Sequence, residues 1–131
     1  MELTIKQALQ KGIVAHKEGK TQDAERLYRA ILQSQPTHPD ANHNLGVLAI
    51  SVNKIDAALQ FFKTALETNP KTEQFWLSYV NALIKDKQFK KAKKILDEAK
   101  NKGLAQEKFN ILEERLRPIS QLEEPKLIKQ K

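Results

Sequence analysis

The feature that most constrains this chain is a repeat of 34 residues. Gly12 and Gly46 are 34 positions apart, and so are Pro36 and Pro70. The same shift brings together residues of similar size or role, in the columns Ala24/Ala58/Ala92, Tyr28/Phe62/Leu96, Leu27/Phe61/Ile95, Ala65/Ala99 and Asn42/Trp76. A period of about 20–50 residues is typical of solenoids, in which each unit packs only against its neighbours. Three units result, at about residues 5–38, 39–72 and 73–104.

Each unit is predicted to form two helices. Gly and Pro are scarce, at 4 and 5 residues, and the apolar residues recur at helical spacing. Thr4 and Gln7 can form a capping box for a helix ending near Gly19, and Pro39 suits a first helical turn. The other expected N-caps are Thr21, Asn53 (with Asp56), Thr72 and Asp86. We expect six helices, each about 12–15 residues long.

The chain after the third unit contains a seventh amphipathic segment. Its apolar residues follow helical spacing, at Ala105, Phe109, Leu112 and Leu116. This stripe predicts a capping helix at about 104–117 that covers the end of the solenoid and stops at Pro118. Residues 118–131 show no periodicity, which predicts a flexible tail or linker.

Several columns together resemble the tetratricopeptide repeat over about residues 5–104. They are Leu45-Gly46, Trp76, the pairs Ala24/Tyr28 and Ala58/Phe62, and Pro36 and Pro70. The resemblance implies an all-α, right-handed superhelical solenoid of three helix-turn-helix hairpins plus the capping helix, in a domain at 1–117. It also implies a protein-interaction scaffold without a catalytic site or cofactor. The chain departs from the pattern at Lys11, Val80 and Leu104, which replace a large apolar residue, a glycine and a proline.

The resemblance implies a concave groove that holds a peptide or a helix of a protein partner. The first helix of each unit would line it, with apolar anchors flanked by His, Asn and Lys. The predicted groove residues are Leu9, Ile13, His16, Lys17, His43, Asn44, Val47, Ile50, Ser51, Gln74, Leu77, Ser78, Asn81 and Lys85. Coverage of this stripe by the capping helix, the tail or a second copy of the chain is the alternative.

Two subtypes of the family bind their ligands through characteristic groove residues. Of the Lys and Asn residues that grip a chaperone's C-terminal carboxylate, only Asn44 is matched, which argues against that activity. Asn44 also resembles one rung of the asparagine ladder in O-linked N-acetylglucosamine transferases, but the other rungs are Gln10 and Ser78. The alternative function is therefore the substrate-binding N-terminal arm of a larger glycosyltransferase- or sulfotransferase-like enzyme.

The net charge of +7 is concentrated in the second half of the chain. Residues 71–131 hold 15 Lys and Arg against 9 Asp and Glu, and eight lysines lie between Lys85 and Lys102. Only Phe89 interleaves with them, and Lys93 and Lys94 can pair with Asp97 and Glu98, so a solvated convex face is favoured over nucleic-acid binding.

Other functional classes find little support in the sequence. His16 and His43 could share the groove, but no third ligand completes a metal site. There are 0 Cys, which excludes disulfides and thiolate chemistry. The apolar stretch at 46–50 is too short to cross a membrane, so a cytoplasmic protein is expected. Self-association stays open.

Overall fold

The computed structural model describes residues 3–104 and 106–123, and all the regular structure in these ranges is α-helix. The helices, in chain order, are α1 (Ile5–Lys17), α2 (Thr21–Ser34), α3 (Pro39–Ser51), α4 (Ile55–Thr68), α5 (Glu73–Lys85), α6 (Phe89–Asn101) and α7 (Gln106–Glu123). The six repeat helices predicted from the 34-residue period are thereby confirmed.

The helices pack in chain order as a solenoid. Each helix contacts the next one, and α1–α2, α3–α4 and α5–α6 form the three predicted hairpins. The odd-numbered helices also contact one another, α1 with α3, α3 with α5, and α5 with α7. They therefore lie side by side along one face of the solenoid, which we call the concave face.

A glycine and an aromatic ring set the distance between the two helices of a hairpin. A Cβ on Gly46 would lie 2.4 Å from Cε1 of Phe62, and one on Gly12 would lie 2.5 Å from Cε1 of Tyr28. Such distances are far below van der Waals contact, so these rings pack directly on the glycine backbone. The third hairpin has Val80 and Leu96 at the same positions, both fully buried. A smaller partner on the second helix therefore accompanies the larger residue on the first, which explains this departure from the repeat.

Each hairpin turn is formed by one residue with left-handed backbone geometry. Gly19, Asn53 and Lys87, which are 34 positions apart, have φ values of 78°, 61° and 61°. The amide of the next residue donates a 2.8 Å hydrogen bond to a carbonyl in the last turn of the preceding helix, as in Lys20 N to Ala15 O. This is the Schellman motif, which satisfies carbonyls at a helix end.

Three of the predicted N-caps were wrong for the same reason. Asn53 and Asp86 belong to the turns that end α3 and α5, and Thr21 is already the first residue of α2. The residue that completes each Schellman motif, Lys20, Lys54 or Gln88, is also the N-cap of the next helix, and none of the three makes a side-chain capping hydrogen bond. Thr72 does precede α5 but makes no capping hydrogen bond, whereas the capping box of Thr4 and Gln7 is confirmed.

Side-chain hydrogen bonds fix the connections between successive units. The buried Asn42 donates from Nδ2 to the carbonyls of Pro36 and His38, at 3.1 and 2.9 Å. One repeat later, Trp76 donates from Nε1 to the carbonyl of Pro70 at 2.7 Å. The two side chains differ in size, but each places one N–H donor on a proline carbonyl. Pro39 begins α3, as predicted.

The capping helix α7 extends the core. Phe109, Leu112 and Leu116 are buried in one cluster with residues of α5 and α6, while Ala105 lies outside the described residues. The prediction that the helix stops at Pro118 was wrong, because α7 continues to Glu123. A proline inside a helix lacks the amide hydrogen and its ring crowds the carbonyl four residues earlier, at a cost of about 3 kcal/mol, but later residues keep their own hydrogen bonds. The carbonyl left free belongs to the exposed Glu114, where water can bind it. Of the predicted tail, residues 124–131 lie outside the described residues.

The glycine contact yields a stability prediction. Gly46→Val should lower the free energy of unfolding by about 1–3 kcal/mol, since the new side chain overlaps the Phe62 ring. The double variant Gly46→Val/Phe62→Leu copies the Val80/Leu96 pair and should recover most of that loss. Urea denaturation of the three proteins measures both effects. Equal stabilities for the single and double variants would contradict the proposed compensation.

A second stability prediction comes from the left-handed turns. Lys87 is exposed and has a φ of 61°, a conformation that costs a side-chain-bearing residue about 1–2 kcal/mol. Lys87→Gly should raise the free energy of unfolding by about 0.5–1 kcal/mol, after the greater entropy of glycine in the unfolded chain is subtracted. Gly19→Ala is the matched reverse change and should destabilise the protein in the same assay. A Lys87→Gly protein less stable than the parent would be the contrary result.

Candidate binding groove

The concave face contains an open cleft between α3, α5 and α7. It has a volume of about 380 Å³ and brings together five of the predicted groove residues, Val47, Ile50, Ser78, Asn81 and Lys85. Its remaining lining residues are Phe62, Ala82, Ile84 and Arg115. One wall of the cleft is therefore apolar and the other carries amide and cationic groups.

The other predicted residues lie beside the cleft or away from it. Leu9 of α1 packs against the core of the first two units, and Ile13, His16 and Lys17 belong to the same helix, outside the cleft lining. Ser51 uses its hydroxyl to donate a 2.6 Å hydrogen bond to the carbonyl of Leu48. The first unit therefore contributes nothing to this cleft, which lies toward the C-terminal half of the described chain.

Leu77 was expected on the exposed stripe, but it is only 7% exposed. It belongs to the same core cluster as Phe109, Leu112 and Leu116 of α7. Leu77 is therefore a core residue of the structure and not part of an exposed stripe.

Two exposed residues of α7 were missed because only its apolar stripe was considered. The 34-residue shift that relates the units also leads from Leu77 to Ile111 and from Asn81 to Arg115. Ile111 is 62% exposed, and Arg115 lines the cleft. Applying the repeat period to the capping helix would have identified both.

A hydrogen-bonded group centred on His43 joins α3 to α5. Its Nε2 lies 2.7 Å from Ser78 Oγ, which also accepts a 3.1 Å hydrogen bond from Gln74 Nε2. Nδ1 lies 3.4 Å from Asn44 Oδ1, so a hydrogen on Nδ1 can be donated to that oxygen. In the neutral tautomer with this hydrogen, Nε2 accepts from the serine hydroxyl, so both ring nitrogens have partners.

Aromatic rings enclose the same histidine. The His43 ring centroid lies 5.4 Å from that of Phe62 and 5.0 Å from that of Phe75, both tilted. Burial among these groups lowers the pKa of His43 below its ordinary value, against smaller opposing effects of the Asn44 hydrogen bond and the charge of Asp40. Burial therefore favours the neutral form of His43 in the folded protein.

The charged wall of the cleft is formed by α5 and α7. Arg115 donates from Nη1 to Asn81 Oδ1 at 3.0 Å, which ties the capping helix to the third unit. Lys85 lies near the end of α5 in the same lining. None of the nine lining residues is acidic, so the cleft carries two positive charges without a carboxylate of its own.

Two alternatives, a metal site at His43 and an asparagine ladder at Asn44, would use side chains that already form hydrogen bonds. Both His43 nitrogens and the Asn44 oxygen have partners within this part of the fold. No group of three or more His, Cys, Asp or Glu that could hold a metal occurs in the described ranges. Nor do those ranges include a helix long and apolar enough to cross a membrane.

The basic segment between Lys85 and Lys102 makes one ion pair within the described chain. Lys100 Nζ lies 2.8 Å from Glu113 Oε2 of α7, and this contact lowers the pKa of Glu113. The pairs expected from Lys93 and Lys94 to Asp97 and Glu98 are not closed within 4.0 Å. Phe89 packs against the core. The other lysines of α6 therefore lie on a solvated face without an interleaved exposed aromatic.

The buried His43 predicts a pH dependence of stability. Because its pKa is lowered in the folded state, the unfolded chain binds the proton more readily below about pH 6.5. The free energy of unfolding should be highest above that value and decrease as the pH falls through the lowered pKa. Thermal unfolding of the parent and of His43→Gln at about pH 7.5 and about pH 5 measures this effect. On the change to the lower pH, the variant should lose less of its free energy of unfolding than the parent. Both proteins retain His16 and His38, so identical pH dependences would rule out His43 as the cause.

Solved structures with the same architecture come from proteins of different sizes. The Sgt2 TPR domain of Aspergillus fumigatus matches 97% of this chain and 88% of its own, with a TM-score of 0.75 and 17% identity. The type III secretion translocator chaperone SycD of Yersinia enterocolitica matches 92% of this chain and 86% of its own, with a TM-score of 0.72 and 16% identity. The O-GlcNAc transferase of Thermobaculum terrenum matches 76% of this chain but only 20% of its own, with a TM-score of 0.68 and 23% identity. At these identities the likeness concerns the fold.

A comparison of sequences identifies the family. No curated protein matches the chain. The family model described as tetratricopeptide repeat, however, matches residues 15–76 and 49–115, which together span most of the sequence. These ranges contain Gly46, the aromatic and proline columns and the first half of α7. The chain belongs to the tetratricopeptide repeat family.

Proposed function

We propose that this protein binds a peptide or a helix of a protein partner in the cleft between α3, α5 and α7. The observation that carries the proposal is the composition of the cleft. Its apolar residues Val47 and Ile50 stay half-buried beside the exposed Asn81, Lys85 and Arg115. An accessible apolar surface bordered by polar groups is typical of a protein-interaction site.

The fold supports an interaction role. Tetratricopeptide repeats are protein-interaction scaffolds, and the structural relatives include the chaperone SycD and the Sgt2 domain. In this chain the odd-numbered helices present an extended concave face, and hydrogen bonds between units hold α3, α5 and α7 together. A surface that is already ordered loses little conformational entropy when a partner binds. No catalytic group is assigned to the cleft.

The second candidate function is a substrate-binding arm of a larger enzyme. Its support is the likeness to the Thermobaculum terrenum O-GlcNAc transferase, of which this chain matches 20%. The asparagine ladder that would accompany that role is reduced to Asn44, whose side-chain oxygen already pairs with His43. We therefore favour the interaction scaffold, in which no ladder is needed.

Two groove variants and one control test the proposed site. Val47→Glu places a charge on the apolar wall, and Asn81→Trp fills the cleft with a large ring. Val52→Glu is the control, because Val52 is 51% exposed at the end of α3 and does not line the cleft. Each protein is immobilised, exposed to lysate of the source organism and analysed by mass spectrometry, after thermal unfolding shows that all are folded.

A partner of the groove should be retained by the parent and by Val52→Glu. Both groove variants should retain it at least about tenfold less, which corresponds to about 1.4 kcal/mol. Equal retention by all four proteins would contradict the groove assignment. Loss from Val52→Glu alone would move the binding surface to the end of α3.

A further inference from the structure

We infer that the cleft selects an acidic segment, in which an aliphatic or aromatic side chain is accompanied by a nearby Asp or Glu. The inference rests on the proposed function and specifies the chemistry of the partner. The apolar side chain would lie against Val47, Ile50 and Phe62. The carboxylate would bind the donors on α5 and α7.

The donors around the cleft outnumber its acceptors. Asn81 uses its side-chain oxygen to accept from Arg115, so its amide hydrogens remain to be donated. The guanidinium of Arg115 has five N–H donors, of which this contact uses one. Lys85 adds three more in the same lining. A ligand that satisfies this wall must supply acceptors, and a carboxylate supplies two oxygens with a compensating charge.

Neither Lys85 nor Arg115 forms an ion pair within 4.0 Å in the described part of the chain. Asp86 follows Lys85, and its Oδ2 accepts a 2.7 Å hydrogen bond from Gln88 Nε2. Glu113, two positions before Arg115, is paired with Lys100 at 2.8 Å. Glu114, directly before Arg115, makes no ion pair with it, so the positive charges of the cleft are not paired with a carboxylate of the described residues.

The spacing of the lining residues suits a regular ligand segment. Val47 and Ile50 are one helical turn apart on α3, and Asn81 and Lys85 are one turn apart on α5. In a ligand helix, residues three or four positions apart share one face, so an apolar residue and a carboxylate at that spacing can reach both walls. The acid is then internal to the segment, not its C-terminal carboxylate.

Charge argues against occupants from the chain itself. Residues 124–131 contain three lysines and one glutamate, so they would bring net positive charge to a positive wall. A second copy of the chain carries the same net charge of +7. A separate partner with an acidic, amphipathic segment is the occupant that complements the cleft.

Selection of random peptides displayed on phage tests the inference without a known partner. The parent protein should enrich sequences with Asp or Glu three or four positions from a large apolar residue. Enriched peptides are then synthesised with amidated C-termini, and binding is measured by fluorescence anisotropy. Replacing the acidic residue by Gln or Asn should weaken binding about fivefold to tenfold, and added salt should weaken the acidic peptide more than its neutral form.

A pair of charge-reversal variants separates the cleft from the overall charge. Lys85→Glu/Arg115→Glu should weaken the acidic peptides about tenfold or more and enrich basic sequences when selection is repeated. Lys90→Glu/Lys94→Glu makes the same change in net charge on exposed positions of α6 and should alter binding less than about twofold.

The outcomes distinguish this inference from the proposed function. Peptides that bind, are lost with Val47→Glu, but show no need for an acidic residue would overturn the inference and leave the groove function standing. Peptides whose binding is lost with Lys90→Glu/Lys94→Glu, and not with Lys85→Glu/Arg115→Glu, would also overturn the inference. If the parent enriches no peptide, or Val47→Glu binds as well as the parent, both proposals fail.

Discussion

The contact between a glycine and an aromatic ring in the first two hairpins determines much of the remaining geometry. Because Gly46 has no side chain, the Phe62 ring can lie on the backbone of α3 and fill the space between the two helices. The same ring approaches His43 and forms part of the cleft. One packing contact therefore sets the distance between two helices, encloses a histidine and provides part of the surface proposed to bind a partner.

The repeat columns could be predicted from the sequence because each contact recurs at a fixed interval. The period identified the small and large core positions, all six repeat helices and five residues of the cleft. The turns could not be predicted as well, since a polar residue such as Asn53 suits both a helix N-cap and a left-handed turn. The burial of Leu77 could not be predicted either, because sequence periodicity alone does not show which positions of the first helices join the core.

The capping helix has two structural roles, which use different faces. Its apolar side closes the core through Phe109, Leu112 and Leu116, and its polar side ties the end of the solenoid through Lys100–Glu113 and Asn81–Arg115. Because Arg115 also lines the cleft, the end of the fold and the candidate site share one side chain. A change in the packing of α7 therefore alters the cleft without any substitution on α3 or α5.

The exchange of Gly46/Phe62 for Val80/Leu96 between units has a consequence for how such repeats diverge. The effect of the exchange on packing depends on whether the glycine or the aromatic residue is replaced first. Enlarging the glycine first forces atoms to overlap, whereas shrinking the ring first leaves a cavity that neighbouring side chains can partly fill. An evolving unit is therefore expected to pass through the loosely packed intermediate, so that repeats of one chain drift apart along a preferred sequence of mutations.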